Sequence, residues 1–235
     1  MTPRQPPQAT RPRLALFDLD HTLLPIDSDY EWGEFTIRLG WCDRDDFGRC
    51  NEAFYADYQA GRLDVHDYVR FATQAMRSQG PQAAAQAHAQ FMREVIEPAV
   101  RPSALALLQK HRDQGDLMLI ITATNEFVTR PIARLLGVDH LIAIELERDS
   151  ASRYTGEIRG IPSMREGKVQ RLKQWLAERD LTLEGIESTF YSDSMNDLPL
   201  LELVSHPVAT NPDTRLRALA RERHWPTLDL FDPAP

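Results

Sequence analysis

Cysteine is nearly absent: Cys42 and Cys50 are the only two in a chain of 235 residues. Two thiols cannot make a disulfide scaffold and their spacing matches no zinc pattern, so they read as reduced thiols of a cytoplasmic protein. Long apolar runs are missing too. No stretch approaches the length that crosses a bilayer, which argues against a membrane partner. The first residues, "MTPRQPPQATRPR", lack the apolar segment of a secretion signal. Their Pro, Gln and Arg content predicts a disordered tail over residues 1–12. Basic residues are in deficit, with 27 Lys and Arg against 35 Asp and Glu and a net charge of −8. Such a chain suits phosphate backbones poorly, which argues against nucleic acid as a partner. An anionic substrate would need local cations or a metal. No internal repeat is present.

What the chain does have is apolar content. At 42% hydrophobic it can bury one large domain or two small ones. Arg13 to Phe17 reads as a short buried strand. From Ile26 to Val100, apolar residues recur at helical spacing with breaks near Gly40, Gly61 and "QGPQ", which predicts about four helices and no strand. After Pro102 the pattern alternates. Helices are expected over 103–114, 126–136, 165–179, 198–204 and 213–223. Strands are expected at "LMLIITA" (117–123), "LIAIEL" (141–146), 189–192 and 207–210, with an irregular hairpin at "RDSASRYTGEIRG". Alternation of this kind predicts an α/β fold, a Rossmann-like doubly wound parallel sheet, with the all-helical segment inserted after the first strand. The expected division is 13–25 plus 101–235 for the α/β core and 26–100 for a helical cap.

In open parallel sheets, chemistry gathers beyond the carboxyl ends of the strands. Asp18 and Asp20 follow the first strand in "LFDLDHT", and Asp193 and Asp197 follow another in "YSDSMNDLP". Two carboxylates one residue apart on an extended chain point the same way, and a shared proton or a divalent cation would relieve their repulsion. Asp193 adds a third hard oxygen donor. With no Cys or His clustered nearby, the set suits Mg²⁺. Thr122 closes a buried run and can offer its hydroxyl to an anion. "SMRE" (163–166) reads as a capping box that starts a helix near Met164. On that helix Lys168 falls inside the apolar stripe with Leu172, Trp175 and Leu176, a position better explained by aim at a carboxylate or phosphate than by solvation. Asp197, next to a helix start, is either a simple N-cap or part of the site.

These residues resemble the four motifs of the haloacid dehalogenase-like phosphatases. "DLDHT" resembles their DxDxT signature, and "IIT" ending at Thr122, Lys168 in "EGKV" and "YSDSMNDLPLL" look like the other three, in order. The helical insert resembles the cap of the phosphoserine-phosphatase-like branch, subfamily IB. One departure is that Ser192 and Ser194 stand where many relatives carry Gly, which makes the loop less permissive.

The resemblance implies that Asp18 is the nucleophile forming an aspartyl-phosphate and that Asp20 is the general acid and base. It implies phosphate contacts from Thr122, Ala123 and Lys168, Mg²⁺ on Asp18, the Asp20 carbonyl and Asp193, and support from Asn196 and Asp197. The substrate expected is a small phosphorylated metabolite, and the enzyme a monomer or dimer. Asp27, Asp29 and Glu31 either form an acidic patch for a cationic substrate or stabilise a helix start, with Ser28 and Glu31 as its capping box. The Arg with which phosphoserine phosphatases hold their substrate carboxylate lines up with Ala72. The chain as a whole resembles the stand-alone histidinol-phosphate phosphatases of this superfamily, whose substrate is cationic and lacks a carboxylate. Phosphoserine phosphatase, a phosphotransferase or mutase, and a non-catalytic binding module are the alternatives. His66, His88 and His111 read as surface or packing residues.

Overall fold

The structure is a computed structural model that describes residues 11–231, so most of the expected tail lies outside the described residues. Within that tail, Pro12 is already engaged, since its carbonyl accepts from the Glu187 amide at 2.9 Å.

Six parallel strands form the main sheet: β1 (Arg13–Phe17), β2 (Leu117–Asn125), β3 (His140–Ile144), β6 (Glu187–Ser192), β7 (His206–Thr210) and β8 (Thr227–Leu228), in the order β3-β2-β1-β6-β7-β8. A separate antiparallel hairpin joins β4 (Leu146–Arg148) to β5 (Tyr154–Ile158). β1 is buried on both faces, and its alternating side chains feed two cores. Ala15 and Phe17 belong to one core, with helices α7 (Pro102–Asp113) and α8 (Glu126–Leu135). Leu14 and Leu16 belong to the other, with α9 (Glu166–Ala177), α10 (Leu198–Leu201) and α11 (Thr214–Glu222). Helices on both faces of a parallel sheet are the doubly wound arrangement expected from the alternation.

Between β1 and α7 the described chain is helical: α1 (Ser28–Arg38), α2 (Arg44–Gln59), α3 (Val65–Ala72), α4 (Gln74–Gln79), α5 (Pro81–Phe91) and, after a π-helical turn at Met92–Ile96, α6 (Glu97–Ala99). This insert shares a core with the sheet. One apolar cluster runs from Phe17 through Leu23 and Leu24 to Trp32, Phe35, Val69, Met76 and Phe91. Trp32 also meets Phe127 of α8 at 5.5 Å between ring centroids. The β4–β5 hairpin leans on the insert. Arg70 pairs with Glu157 at 3.1 Å, and Arg77 donates to the Thr155 carbonyl at 3.2 Å. Gly156, at φ 98°, lets that guanidinium in, since a Cβ there would stand 2.7 Å from Arg77 Cζ.

Three expectations are corrected. "LIAIEL" is not one strand: β3 ends at Ile144 and Leu146 begins the hairpin. The "SMRE" box does not form. Ser163 Oγ donates to the Thr122 carbonyl at 2.6 Å, α9 starts at Glu166, and the residue before it, Arg165, has φ 51°. The turn is tight because Gly167 lies against Pro162, whose carbonyl oxygen would be 2.0 Å from a Cβ. Ser28 does not cap α1. Asp27 does, accepting from the amides of Asp29 and Tyr30. The short edge strand β8 had no alternating pattern to reveal it.

Candidate active site

Asp18 leaves β1 at the centre of the sheet, where neighbouring connections run to opposite faces and open a crevice. The residue is 5% exposed. Lys168, 2% exposed on α9, donates to Asp18 Oδ1 at 2.8 Å and to Asp197 Oδ2 at 2.7 Å. Asp197 also accepts from Ser192 Oγ at 2.7 Å and makes no side-chain capping bond to α10. Burial by itself would push the ammonium down. The two carboxylates reverse that and hold Lys168 above the ordinary lysine range.

Thr22 ties the first loop to the fourth motif. Its Oγ1 lies 3.5 Å from Asp18 Oδ2 and 3.2 Å from Asp193 Oδ1, and accepts from the Asp193 amide at 3.1 Å. Asn211 fastens the same loop from behind, donating to the His21 and Thr22 carbonyls at 2.8 and 3.2 Å. His21 takes a left-handed conformation, φ 56°, that turns the chain back between them. Burial pushes Asp193 well above the usual carboxylate range, and the charges of Asp18 and Asp197 add to it. Asp18 is raised as well, since burial outweighs Lys168.

Asp20 turns away from Lys168. Its Oδ1 accepts from the Ser28 amide at 2.7 Å and its Oδ2 from Thr124 Oγ1 at 2.8 Å. Burial, then the nearby charge of Asp27, raises it to about 6. Thr122 Oγ1 accepts from the Thr124 amide at 3.1 Å, which leaves its own proton free to donate. Asn196 donates to the Tyr58 carbonyl at 3.0 Å and joins this corner to α2.

A cavity collects these groups. Asp18, Asp20, Thr122, Ala123 and Asp193 line it, as do Asp27 and Asp29. Lys168 lies behind Asp18, and Glu31 opens instead onto a surface groove with Glu34 and Arg38. Helices α2 and α3 supply an aromatic wall, including Phe54, Tyr55, Tyr58 and Tyr68. The sequence reading missed Thr124, Asn125, Asn211 and that wall. Asn125 carried a usable signal, since it caps α8 through the amides of Phe127 and Val128 at the expected place before a helix. The tyrosines carried none, because their helical spacing is that of ordinary core.

His88 and His111 are buried packing residues away from this cavity, bonded to the Val128 carbonyl and to Asp116 and Tyr191 respectively. His66 is exposed. Among the described residues, no helix is long and apolar enough to cross a membrane.

Comparison with known proteins agrees with this geometry. Residues 15–202 match the model of the haloacid dehalogenase-like hydrolase family. A histidinol-phosphatase of Neisseria meningitidis serogroup C (strain 8013) is 46% identical over 218 residues, covering 92% of this chain and 98% of that protein. A phosphoserine phosphatase of Mycobacterium tuberculosis is 31% identical over 234 residues, covering 97% of this chain and 73% of the other. A crystal structure of a protein of unknown function from Bordetella pertussis Tohama I superposes with a TM-score of 0.89 at 48% identity, over 94% of this chain and all of that one. A phospho-aspartyl intermediate analogue of phosphoserine phosphatase shares the fold, with a TM-score of 0.66 at 15% identity over 94% and 95% of the two chains. This chain therefore belongs to the haloacid dehalogenase-like hydrolase family, and within it to the phosphatases.

Proposed function

We propose that the protein is a Mg²⁺-dependent phosphomonoesterase that works through an aspartyl-phosphate and whose substrate is histidinol phosphate. The observation that carries the chemistry is the meeting of Asp18, Asp20 and Asp193 around one cavity with Lys168 paired to Asp18 behind it, four groups from three distant segments. An Asp18 oxygen attacks phosphorus as the bond to the leaving oxygen breaks, and Asp20 gives that oxygen a proton. Water then attacks phosphorus, returns a proton to Asp20 and frees Asp18 and inorganic phosphate. A carboxyl that ionises near 6 suits both halves of this cycle. Thr122 Oγ1 and the backbone at Ala123, which line the cavity, would contact the phosphoryl oxygens, while Lys168, paired to Asp18 from behind and kept aimed by Asp197, would offset their charge.

Among the described residues no three His, Cys, Asp or Glu side chains cluster tightly enough to hold a metal alone. The donor set still fits a hard cation. Two buried carboxylates, Asp18 and Asp193, converge on one hydroxyl, and burial makes both ionise reluctantly, Asp18 despite its pairing with Lys168. These two and the Asp20 carbonyl would hold Mg²⁺, which would neutralise the repulsion between Asp18 and the phosphate.

For the substrate, the cavity wall matters most. It presents five aspartates and no Lys or Arg. Such a wall favours a cationic alcohol and offers nothing to a substrate carboxylate, which disfavours phosphoserine. The extensive likeness to a histidinol-phosphatase points the same way. The test is phosphate release from a panel of monoesters, including histidinol phosphate and phosphoserine, with Mg²⁺ and with EDTA. Histidinol phosphate is expected to be the preferred ester, and both EDTA and Asp18→Asn are expected to abolish turnover. Equal rates on both esters would remove the substrate assignment, and activity in Asp18→Asn would remove the mechanism.

A further inference from the structure

The cavity holds more negative charge than phosphoryl transfer uses. Asp18, Asp20 and Asp193 face the reacting group, and Asp27 is engaged in capping α1. Asp29 has neither duty. It lines the cavity while only 6% exposed. Its Oδ1 accepts from Asn125 Nδ2 at 3.1 Å, and no cation stands among the groups that act on it. A buried carboxylate without a counterion is costly.

Its surroundings point to what it would receive. Phe54 and Tyr68 meet edge to face at 5.4 Å, and Tyr30 and Tyr55 lie tilted at 5.5 Å, all four on the same cavity. Aromatic faces beside a carboxylate make a receptor for a positive charge, and a planar charged ring gains stacking as well. Position adds a ruler. Asn125 lies three residues beyond Thr122 on β2, across a register shift against β3, and so at most about 10 Å along the strand. A group bound at Asp29 therefore sits at the far end of a short chain from the phosphate.

We propose that Asp29, held in place by Asn125, receives a second basic group of the substrate, a protonated planar heterocycle such as imidazolium, and thereby selects amino-alcohol monoesters that carry such a ring. This rests on the cationic-substrate reading above. It makes Asp29 a specificity residue and Asn125 its positioning residue.

The test compares histidinol phosphate with 2-aminopropyl phosphate, which lacks the ring, and with propyl phosphate, which lacks both basic groups. Wild type is expected to favour them in that order. In Asp29→Asn, KM for histidinol phosphate should rise about 10- to 100-fold, the worth of a hydrogen bond to a charged group, with far less change in kcat. The ring-less amine should lose much less, and its turnover shows that the variant is folded. If Asp29→Asn does not fold, Asn125→Ser is read instead. That substitution keeps a capping residue for α8 but removes the amide donor, and the same selective rise in KM is expected. Unchanged KM, or equal losses on both amines, overturns the assignment of Asp29 alone. A wild type that treats histidinol phosphate and propyl phosphate alike overturns the substrate reading, and this assignment with it.

Discussion

Replacing Lys168 with Met is the most informative single perturbation of this protein. The ammonium is buried and lies within 2.8 Å of one carboxylate and 2.7 Å of another, each about as buried as itself. Met fills a similar volume without charge. It leaves Asp18 and Asp197 with no cation, next to Asp193. Removing one partner from a buried ion pair costs about 3–5 kcal/mol, and for a chain of this size a loss near the middle of that range lowers Tm by about 10 °C. The cost should depend on pH, with a definite sign. Asp197 is already raised to about 6, since burial outweighs Lys168. Without the lysine, both carboxyls ionise at still higher pH. The folded state then keeps protons that the unfolded chain has released, so stability falls as pH rises from about 4 through the raised folded values. The deficit of the variant is therefore larger at pH 8 than at pH 5. Urea unfolding followed by circular dichroism at both pH values, in Mg²⁺-free buffer, measures it. Lys168→Met/Asp197→Asn should recover part of the loss at pH 8, because one of the stranded charges has gone. A deficit under about 1 kcal/mol at pH 8, or one that grows on acidification, would refute the reasoning.

Three further outcomes follow from the same geometry. Thr124→Val removes the hydroxyl that holds Asp20 Oδ2 at 2.8 Å; kcat should fall about 10-fold with KM little changed, as steady-state kinetics would show. Asp29→Asn should stabilise the free enzyme. Burial, then Asp27, raises this carboxyl to about 8, so its stability cost accumulates as pH rises from about 4 to 8 and is complete above that; Tm should exceed wild type at pH 9 and match it near pH 4. His111→Leu breaks the buried bonds to Asp116 and the Tyr191 hydroxyl, at 2.7 and 2.8 Å; a loss of about 2–3 kcal/mol is expected in denaturant unfolding, since both partners stay buried without it.

The sequence by itself determined the order of most elements and singled out the candidate residues of the site. A continuous apolar run marks a strand buried on both faces, helical spacing marks the insert, and carboxylates at strand ends mark the crevice, because each pattern is local and follows from backbone geometry. Lys168 was legible for the same reason: a charge inside an apolar helical stripe has to be paired somewhere. Its pairing with Asp18 was not. Asp18 lies 150 residues away, and Asp20 meets Thr124 across 104. Nothing in either local stretch encodes those distances, which arise when β1, β2 and β6 align side by side. Local rules also misled where tertiary contacts outbid them. Ser163 gives its hydroxyl to Thr122 instead of capping α9, and the acidic run at 27–31 divides three ways: Asp27 to a helix cap, Asp29 to the cavity and Glu31 to the outer surface. That division depends on which side of α1 faces the sheet, and only the packed structure decides it.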